Sequence, residues 1–510
     1  MKPFIAPLFE NLRKHADTDP VSLHVPGHRG GQAIAAVNDS EENDESYIAY
    51  YQEIMKLDVT ELSSTDDLHH PEGSIQEAQL LAASCFGSEE TFFLVGGSTS
   101  GNIALLLAIC EPGDEIIVQR NVHKSVINGL KLAGAKAIFL TPKYEQQSAL
   151  AVIPSLQDVE RALQQYPDAK GVFLTNPNYY GMGVDLSVYA EAIHRCDKLL
   201  VVDEAHGAHY GLHPELPTSA IAAGADAVVQ STHKTLPALT MGAMLHIQGE
   251  RLPRQALRQS LAMIQSSSPS FPILSSLDIS RAMIDRFGPS LFAGALEQAA
   301  SFRSWASEYG SPLEVMDVLT DSDPHTATIC YCDPLRIVMY DRSGTLTGFE
   351  LQKQLEQHGC WAEMADPRHV VLIFGIHISL EHTSRLKEAI SAIAKLCKPT
   401  LPDDDRARKK PDTPSNSMVH PSDWAERISQ PVSFARSIPK HAKQKRISLS
   451  EAENYRAAEM VIPYPPGIPV VYPGEKLTRA LIDQIARLAS AGAKFQGAVD
   501  PVMITIGVYE

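Results

Sequence analysis

The amino-acid sequence predicts an α/β protein built on a mostly parallel sheet with helices on both faces. Three observations carry that reading. Short strands recur through the first half of the chain, at 91–95, 115–118, 137–140, 171–175, 199–203 and 227–230. Helical stretches, with apolar residues three and four apart, lie between most of them. The strands are apolar along nearly their whole length, so neither face is meant for water, as in a parallel sheet covered on both sides.

In chain order, residues 1–73 are irregular and rich in His, Pro, Gly and acidic groups. HVPGHRGG at 24–31 and SSTDDLHHPEG at 63–73 read as structured loops, because Pro and Gly punctuate them closely. Residues 74–86 follow as a helix with Ser74 as its N-cap. The strand 91–95 leads through GGSTSG (96–101) into a helix over 102–110, and further helices are expected at 125–132, 156–165, 186–195 and 219–223. Residues 74–280 form the large domain. Beyond it, long helices at 280–309, 348–358 and 380–396 enclose short strands at 336–340 and 369–374, a smaller α+β domain over 281–398. The stretch 399–421 holds five prolines among charged and polar residues, so 399–445 is read as a linker. A C-terminal unit, 446–510, carries PYPPGIP at 463–469, expected to be stiff and extended, and a helix over 476–491.

Composition limits the function. The 510 residues carry a formal charge of −17, which disfavours binding to nucleic-acid phosphates and favours steering of a small cation. Seven scattered cysteines with no Cys-x-x-Cys pair fit a reducing compartment and give neither a disulfide framework nor a metal site. Residues 1–7 lack a signal-peptide core, and no apolar run approaches the length of a bilayer span. The expectation is a soluble cytoplasmic protein without membrane or nucleic-acid partners.

Four features fall at the C-terminal ends of predicted strands, where ligands bind in open α/β sheets. GGSTSG can cradle an anion with backbone N–H groups, a helix N-terminus and hydroxyls, although a plain tight turn reads the same way. Asp203-Glu204-Ala205-His206 places a carboxylate where it can hold a cationic ring nitrogen. Its spelling also matches a helicase box, but no Walker A loop accompanies it. His206 and His209 could form half a metal site or make ordinary loop hydrogen bonds. Ser231-Thr232-His233-Lys234 offers a Schiff-base lysine, and alone it reads equally as a surface loop. His123, within Asn121-Val-His-Lys-Ser125, is a helix-capping residue or a catalyst. Taken in order, an anion cradle, a carboxylate and a lysine about 30 residues later are what pyridoxal 5′-phosphate (PLP) requires.

The chain resembles the fold-type-I PLP-dependent decarboxylases of ornithine, lysine and arginine in their short bacterial form. The matching stretches are HVPGHRGG (24–31), DDLHHPEG (66–73), GGSTSGN (96–102), RNVHKS (120–125), VDEAHGAH (202–209), STHK (231–234), SSSPSFPILSSLD (266–278) and EMVIPYPPGIPVVYPGE (459–475). The resemblance implies an aspartate aminotransferase-like fold with a seven-stranded type of sheet and smaller α+β domains. It also implies a homodimer or higher homo-oligomer with the active site at the interface, to which residues 1–73 contribute. The implied activity is decarboxylation of a basic amino acid through an external aldimine and a quinonoid, in polyamine biosynthesis. Arginine to agmatine is favoured over lysine to cadaverine and ornithine to putrescine. Lys234 would form the internal aldimine, Asp203 would pair with the pyridine nitrogen, and His123 and Ala205 would sit against the two ring faces. Ser98, Thr99, Ser100, Ser231 and His233 would bind the phosphate, Ser267 would reach the neighbouring subunit's phosphate, and His206 would lie beside the cofactor. Lys234 or His123 would return a proton to Cα. Asp66, Asp67, Glu72 and Glu459 are the candidate carboxylates for a cationic substrate side chain, each equally readable as solvated surface. The motifs at 24–31, 66–73 and 459–475 favour a decarboxylase over an aminotransferase, C–S lyase or aldolase. An intact Lys234 and Asp203 speak against a catalytically silent regulatory protein.

Overall fold

The computed structural model describes residues 2–35, 46–145, 148, 150–318, 320, 323, 325, 327–397, 427–434, 443–464 and 467–510. Residue 398 and most of the expected linker, at 399–426 and 435–442, lie outside the described residues. The described chain divides into two compact units. The first comprises residues 1–109, 199–214 and 218–291, and the second residues 110–198, 215–217 and 292–510.

In the first unit, four strands lie side by side in the order Glu90–Leu94, Ala243–Ile247, Ala227–Gln230, Leu199–Asp203. The last two are parallel, whereas Ala243–Ile247 runs antiparallel to both of its neighbours. Ala243–Ile247 is buried throughout, and its AMLHI sequence gives no alternation by which to find it. Leu8 and Leu12 of helix Pro7–Asp17 pack with Ile75, Phe93, Phe271 and Leu277 into one apolar cluster. Buried Asp278, paired with Arg281, receives the Leu8 N–H and so fixes the N-terminal helix on this core.

Three local expectations need correction. Residues 219–223 form turns, not a helix. The expected long helix at 280–309 is two helices, Phe271–Phe287 and Ser290–Tyr309, interrupted at Gly288, whose φ of 55° and ψ of −143° no helix contains. Helix Ser74–Phe86 is not capped by Ser74, which is its first helical residue. The carboxylate of Asp66 supplies the cap instead, accepting from the backbone N–H groups of Gly73, Ile75 and Gln76.

In the second unit, strands Gly171–Thr175, Glu115–Gln119 and Lys136–Leu140 are parallel, and Val432–Ser433 adds an antiparallel edge. Strands Met364–Ala365, His369–Ile373, Arg336–Asp341 and Leu313–Val315 form an antiparallel sheet; helix Gly348–Gln357 packs on it, and helix Leu380–Ala394 packs on that helix. Toward the C-terminus, Gln444–Ser448, Thr505–Tyr509 and Arg456–Ala457 make a small sheet. Helix Arg479–Ser490, capped by Thr478, packs Leu481, Ile485 and Leu488 into the apolar cluster of that region. No helix among the described residues is long and apolar enough to cross a membrane.

Candidate active site

The cradle begins earlier than the sequence suggests. The helix runs Gly97–Ile109, so Ser98, Thr99 and Ser100 are its first turn and not a loop before it. Backbone N–H groups of a first turn lack carbonyl partners within the helix and attract anions. Ser100 is buried and bonds Gly97 O through its hydroxyl at 2.8 Å, Ser98 is half-buried and Thr99 is exposed. The Gly97 N–H donates to Met241 O at 2.8 Å, and the next residue, Gly242, accepts from both the backbone and the Nδ1 of His233. One short loop thus joins the cradle to the segment that carries Lys234.

Asp203 ends its strand fully enclosed. Its Oδ2 accepts from the Asn102 side chain at 2.8 Å, and its Oδ1 accepts from the Ala205 N–H at 3.1 Å. Burial pushes this carboxyl above the ordinary carboxylate range, opposed by the charge of Lys234 and by those two donors. A cationic N–H at this position would supply what the burial removes. Lys234 Nζ lies 3.0 Å from Nε2 of buried His206. Ala205 is buried beside them in sequence, and Ser231, 1% exposed, holds a hydroxyl with no partner among the described residues. An orphaned buried hydroxyl, an anion-attracting helix start, a carboxylate short of a cation and a lysine form the donor set that a phosphorylated pyridinium aldehyde needs. These residues fit PLP.

Behind Asp203 lies a ladder that sequence reasoning missed. Glu204 accepts from the Ala220 N–H and from Gln230 Nε2, each at 2.8 Å. Gln230 Oε1 meets His246 Nε2 at 3.1 Å, and His246 Nδ1 meets the Thr91 hydroxyl at 2.8 Å. Burial raises Glu204 to about 8 and lowers His246 to about 3, so both are held in their neutral forms near neutrality.

The candidate substrate carboxylates differ in what they already bind. Asp66 spends both oxygens on backbone N–H groups, those of Asp67 and Glu72 on one and those of Gly73, Ile75 and Gln76 on the other. Glu459, in the second unit, accepts from Val499 N and Gly507 N and pairs with Arg446. Asp67 gives one oxygen to the His69 N–H, while Glu72 is exposed beside His70. Glu61, which no sequence pattern singled out, has a buried Oε1 with no partner among the described residues. Ser267 lies in an exposed loop whose preceding residue gives its carbonyl to the ring of His69 at 2.9 Å.

His123 belongs to the second unit and caps helix Lys124–Ala133, its Nδ1 accepting the Ser125 N–H at 3.2 Å. No group of His, Cys, Asp and Glu among the described residues is arranged to hold a metal ion.

The sequence matches the family model of the Orn/Lys/Arg decarboxylase major domain over residues 6–382 and that of the C-terminal domain over residues 426–502. The protein YaaO of Bacillus subtilis is 36% identical over 96% of each chain. The arginine decarboxylase of the same organism is 33% identical over 98% of this chain and 97% of its own length. The lysine decarboxylase LdcF of Francisella novicida superposes with a TM-score of 0.77 at 20% identity, covering 99% of this chain and 81% of that one. At that identity the likeness is one of fold.

Proposed function

The chain belongs to the Orn/Lys/Arg decarboxylase family and is a decarboxylase of basic amino acids, and on that premise we propose that it converts arginine to agmatine with PLP as cofactor, supplying polyamine synthesis. The observation that carries the cofactor reading is the enclosed group of Asp203, Asn102, His206 and Lys234 in the first unit. The arginine reading is supported by the whole-length match to an arginine decarboxylase.

Bound PLP supplies a ring that accepts the electron pair left when the Cα–carboxylate bond breaks. Asp203 would hold the ring nitrogen, with Asn102 and the Ala205 N–H aiming its carboxylate. The first turn from Gly97, with Ser231 and His233, would hold the phosphate. Lys234 would hold the cofactor through its amine, and His206 would exchange a proton with Lys234 at Nζ. His123 would lie against the cofactor, and His123 or Lys234 would supply the proton at Cα of the substrate. The stoichiometry is one proton taken up and one CO₂ released per amine formed. Ser267 would serve the site of a second copy in a homodimer.

The test is direct. The purified chain is incubated with PLP and with arginine, lysine or ornithine, and CO₂ and the amine product are measured. Agmatine as the dominant product is the expected result. Cadaverine or putrescine in its place would reassign the substrate, and no CO₂ from any of the three would reject the decarboxylase reading.

A further inference from the structure

Arg120, in the RNVHKS segment, and Pro469, in the Pro-rich block near the C-terminus, are 349 residues apart in sequence, yet the second unit fastens them together. Arg120, 4% exposed, donates to the carbonyls of Pro469 and Val470 at 3.3 Å and to both oxygens of Glu475 at 3.0 Å. Its guanidinium stacks 3.8 Å from the ring centre of Tyr472, and the Tyr472 hydroxyl returns a hydrogen bond to Arg120 O at 2.9 Å. Four residues on, the Lys124 N–H donates to Gly467 O at 3.3 Å. Between these fastenings sits His123.

The ring of His123 is held from both edges. On one side Nδ1 accepts from the Ser125 N–H at 3.2 Å and meets the Ser125 hydroxyl at 2.8 Å. On the other, Gly467 packs so closely that a Cβ at this position would lie 3.3 Å from both Nε2 and Cδ2. Gly467 has a φ of +88°, so any side chain there strains the backbone as well as crowding the ring. Pro465 and Pro466, within the stretch expected to be stiff and extended, lie outside the described residues. Before them the chain is a strand over Ile462–Tyr464, and after them the Gly467 N–H donates to Pro463 O at 3.1 Å.

We propose that the Gly467 turn, clamped by Arg120 to Glu475 and Tyr472, is the positioning element that sets the orientation of the His123 imidazole. Arg120 and Gly467 are positioning residues: they act on the reaction through His123. The proposal rests on the assignment of His123 to the cofactor. An arginine is required because Nη2 reaches both Glu475 oxygens and Val470 O, Nη1 reaches Pro469 O, and the face of the group lies on a phenol ring, a combination that a lysine's single ammonium cannot make.

Two variants of the full-length chain test this, each with and without PLP: Gly467→Ala, and Glu475→Gln, which keeps the shape of the clamp and removes its charge. The first readout is the rate at which diethylpyrocarbonate acylates His123, followed by peptide mass spectrometry against a distant imidazole such as His358. Both variants are expected to change this rate severalfold at His123 and leave His358 alone. The second readout is steady-state kinetics. Gly467→Ala is expected to lower kcat about tenfold with KM nearly constant, and to add no further loss in a His123→Ala background. Unchanged acylation of His123 in both variants would overturn the proposal, as would the same fold-loss in the presence and absence of His123. If His123→Ala itself leaves kcat and the cofactor spectrum intact, the assignment of His123 to the cofactor fails, and the acylation rates still decide the positioning claim.

Discussion

The side-chain amide of Asn102 donates to Oδ2 of Asp203 across 2.8 Å, with both residues buried. In the proposed site helix Gly97–Ile109 therefore has two jobs: its start would face the cofactor's phosphate, and its sixth residue holds the carboxylate that would face the ring nitrogen. Hydrogen bonds to a buried charge are worth about 1.5–3 kcal/mol, roughly tenfold or more in an equilibrium. Asn102→Ala should weaken PLP affinity by about that factor, read by titrating the visible absorption of the bound cofactor. Asn102→Asp should be worse, since two adjacent carboxyls cannot both ionise in a buried site. An unchanged affinity in Asn102→Asp would remove Asp203 from the cofactor's nitrogen.

Lys234 is the group on which the whole reading depends. Lys234→Ala is expected to eliminate turnover and the visible band of lysine-bound PLP, with the fold retained by circular dichroism. A fully active Lys234→Ala enzyme would sink the assignment. The 3.0 Å contact between Lys234 and His206 makes a second, finer claim. A hydrogen bond at this distance requires one of the two groups to be neutral. His206→Phe removes the base that can relieve Lys234 of its proton, so the visible band should form more slowly and only at higher pH. Identical pH profiles for band formation in the two proteins would exclude His206 from proton exchange.

Much of this site is legible in the sequence because each member sits at or just beyond the end of an apolar strand. Asp203 ends one strand, Lys234 follows Ala227–Gln230 by four residues, and Ser98 to Ser100 follow Glu90–Leu94, so strand ends alone single them out. What sequence cannot display is pairing across strands. The contact of Gln230 with His246 follows from the register of Ala227–Gln230 against the antiparallel strand Ala243–Ile247, which is buried along its whole length and shows no alternation. Arg120 and Glu475 meet at a separation of 355 residues, and nothing local marks either as a clamp. The cap of helix Ser74–Phe86 was misplaced for the same reason: Ser74 has the right residue type, but the loop returns Asp66 to the position first.

The buried ladder behind Asp203 has a measurable pH signature. Glu204 titrates at about 8 in the folded chain, against an ordinary value of 4.5. Between those values the folded state binds a proton that the unfolded state has released, so stability falls as pH rises through that window. Glu204→Gln mimics the neutral acid: its carbonyl can still accept from the Ala220 N–H, and Gln230 can reverse its amide to match. The variant carries no such proton. Its melting temperature should therefore gain on the wild type steadily from about pH 5 to about pH 9, with the gain levelling off above the folded value. Parallel melting curves across that range would show that Glu204 is already ionised when buried.

The carboxylates of the 66–72 loop separate a structural role from a substrate role. Asp66 receives five backbone N–H groups and sits at a φ of +77°, a conformation that Asp and Asn tolerate and Ala does not. Asp66→Ala should cost about 2–3 kcal/mol of stability, as the loss of a helix cap and of charge-assisted hydrogen bonds. At temperatures where the variant is folded, its KM should be unchanged. Glu72 is exposed, and its carboxylate lies 3.5 Å from His70, itself exposed, so Glu72→Gln should leave the melting temperature within a degree or so of the wild type. If Glu72 meets the guanidinium of the substrate, the same change should raise KM for arginine severalfold and raise it less for lysine, whose ammonium cannot use a planar carboxylate pair. A KM for arginine unaltered by Glu72→Gln would move the search to Glu61, whose buried Oε1 still wants a donor.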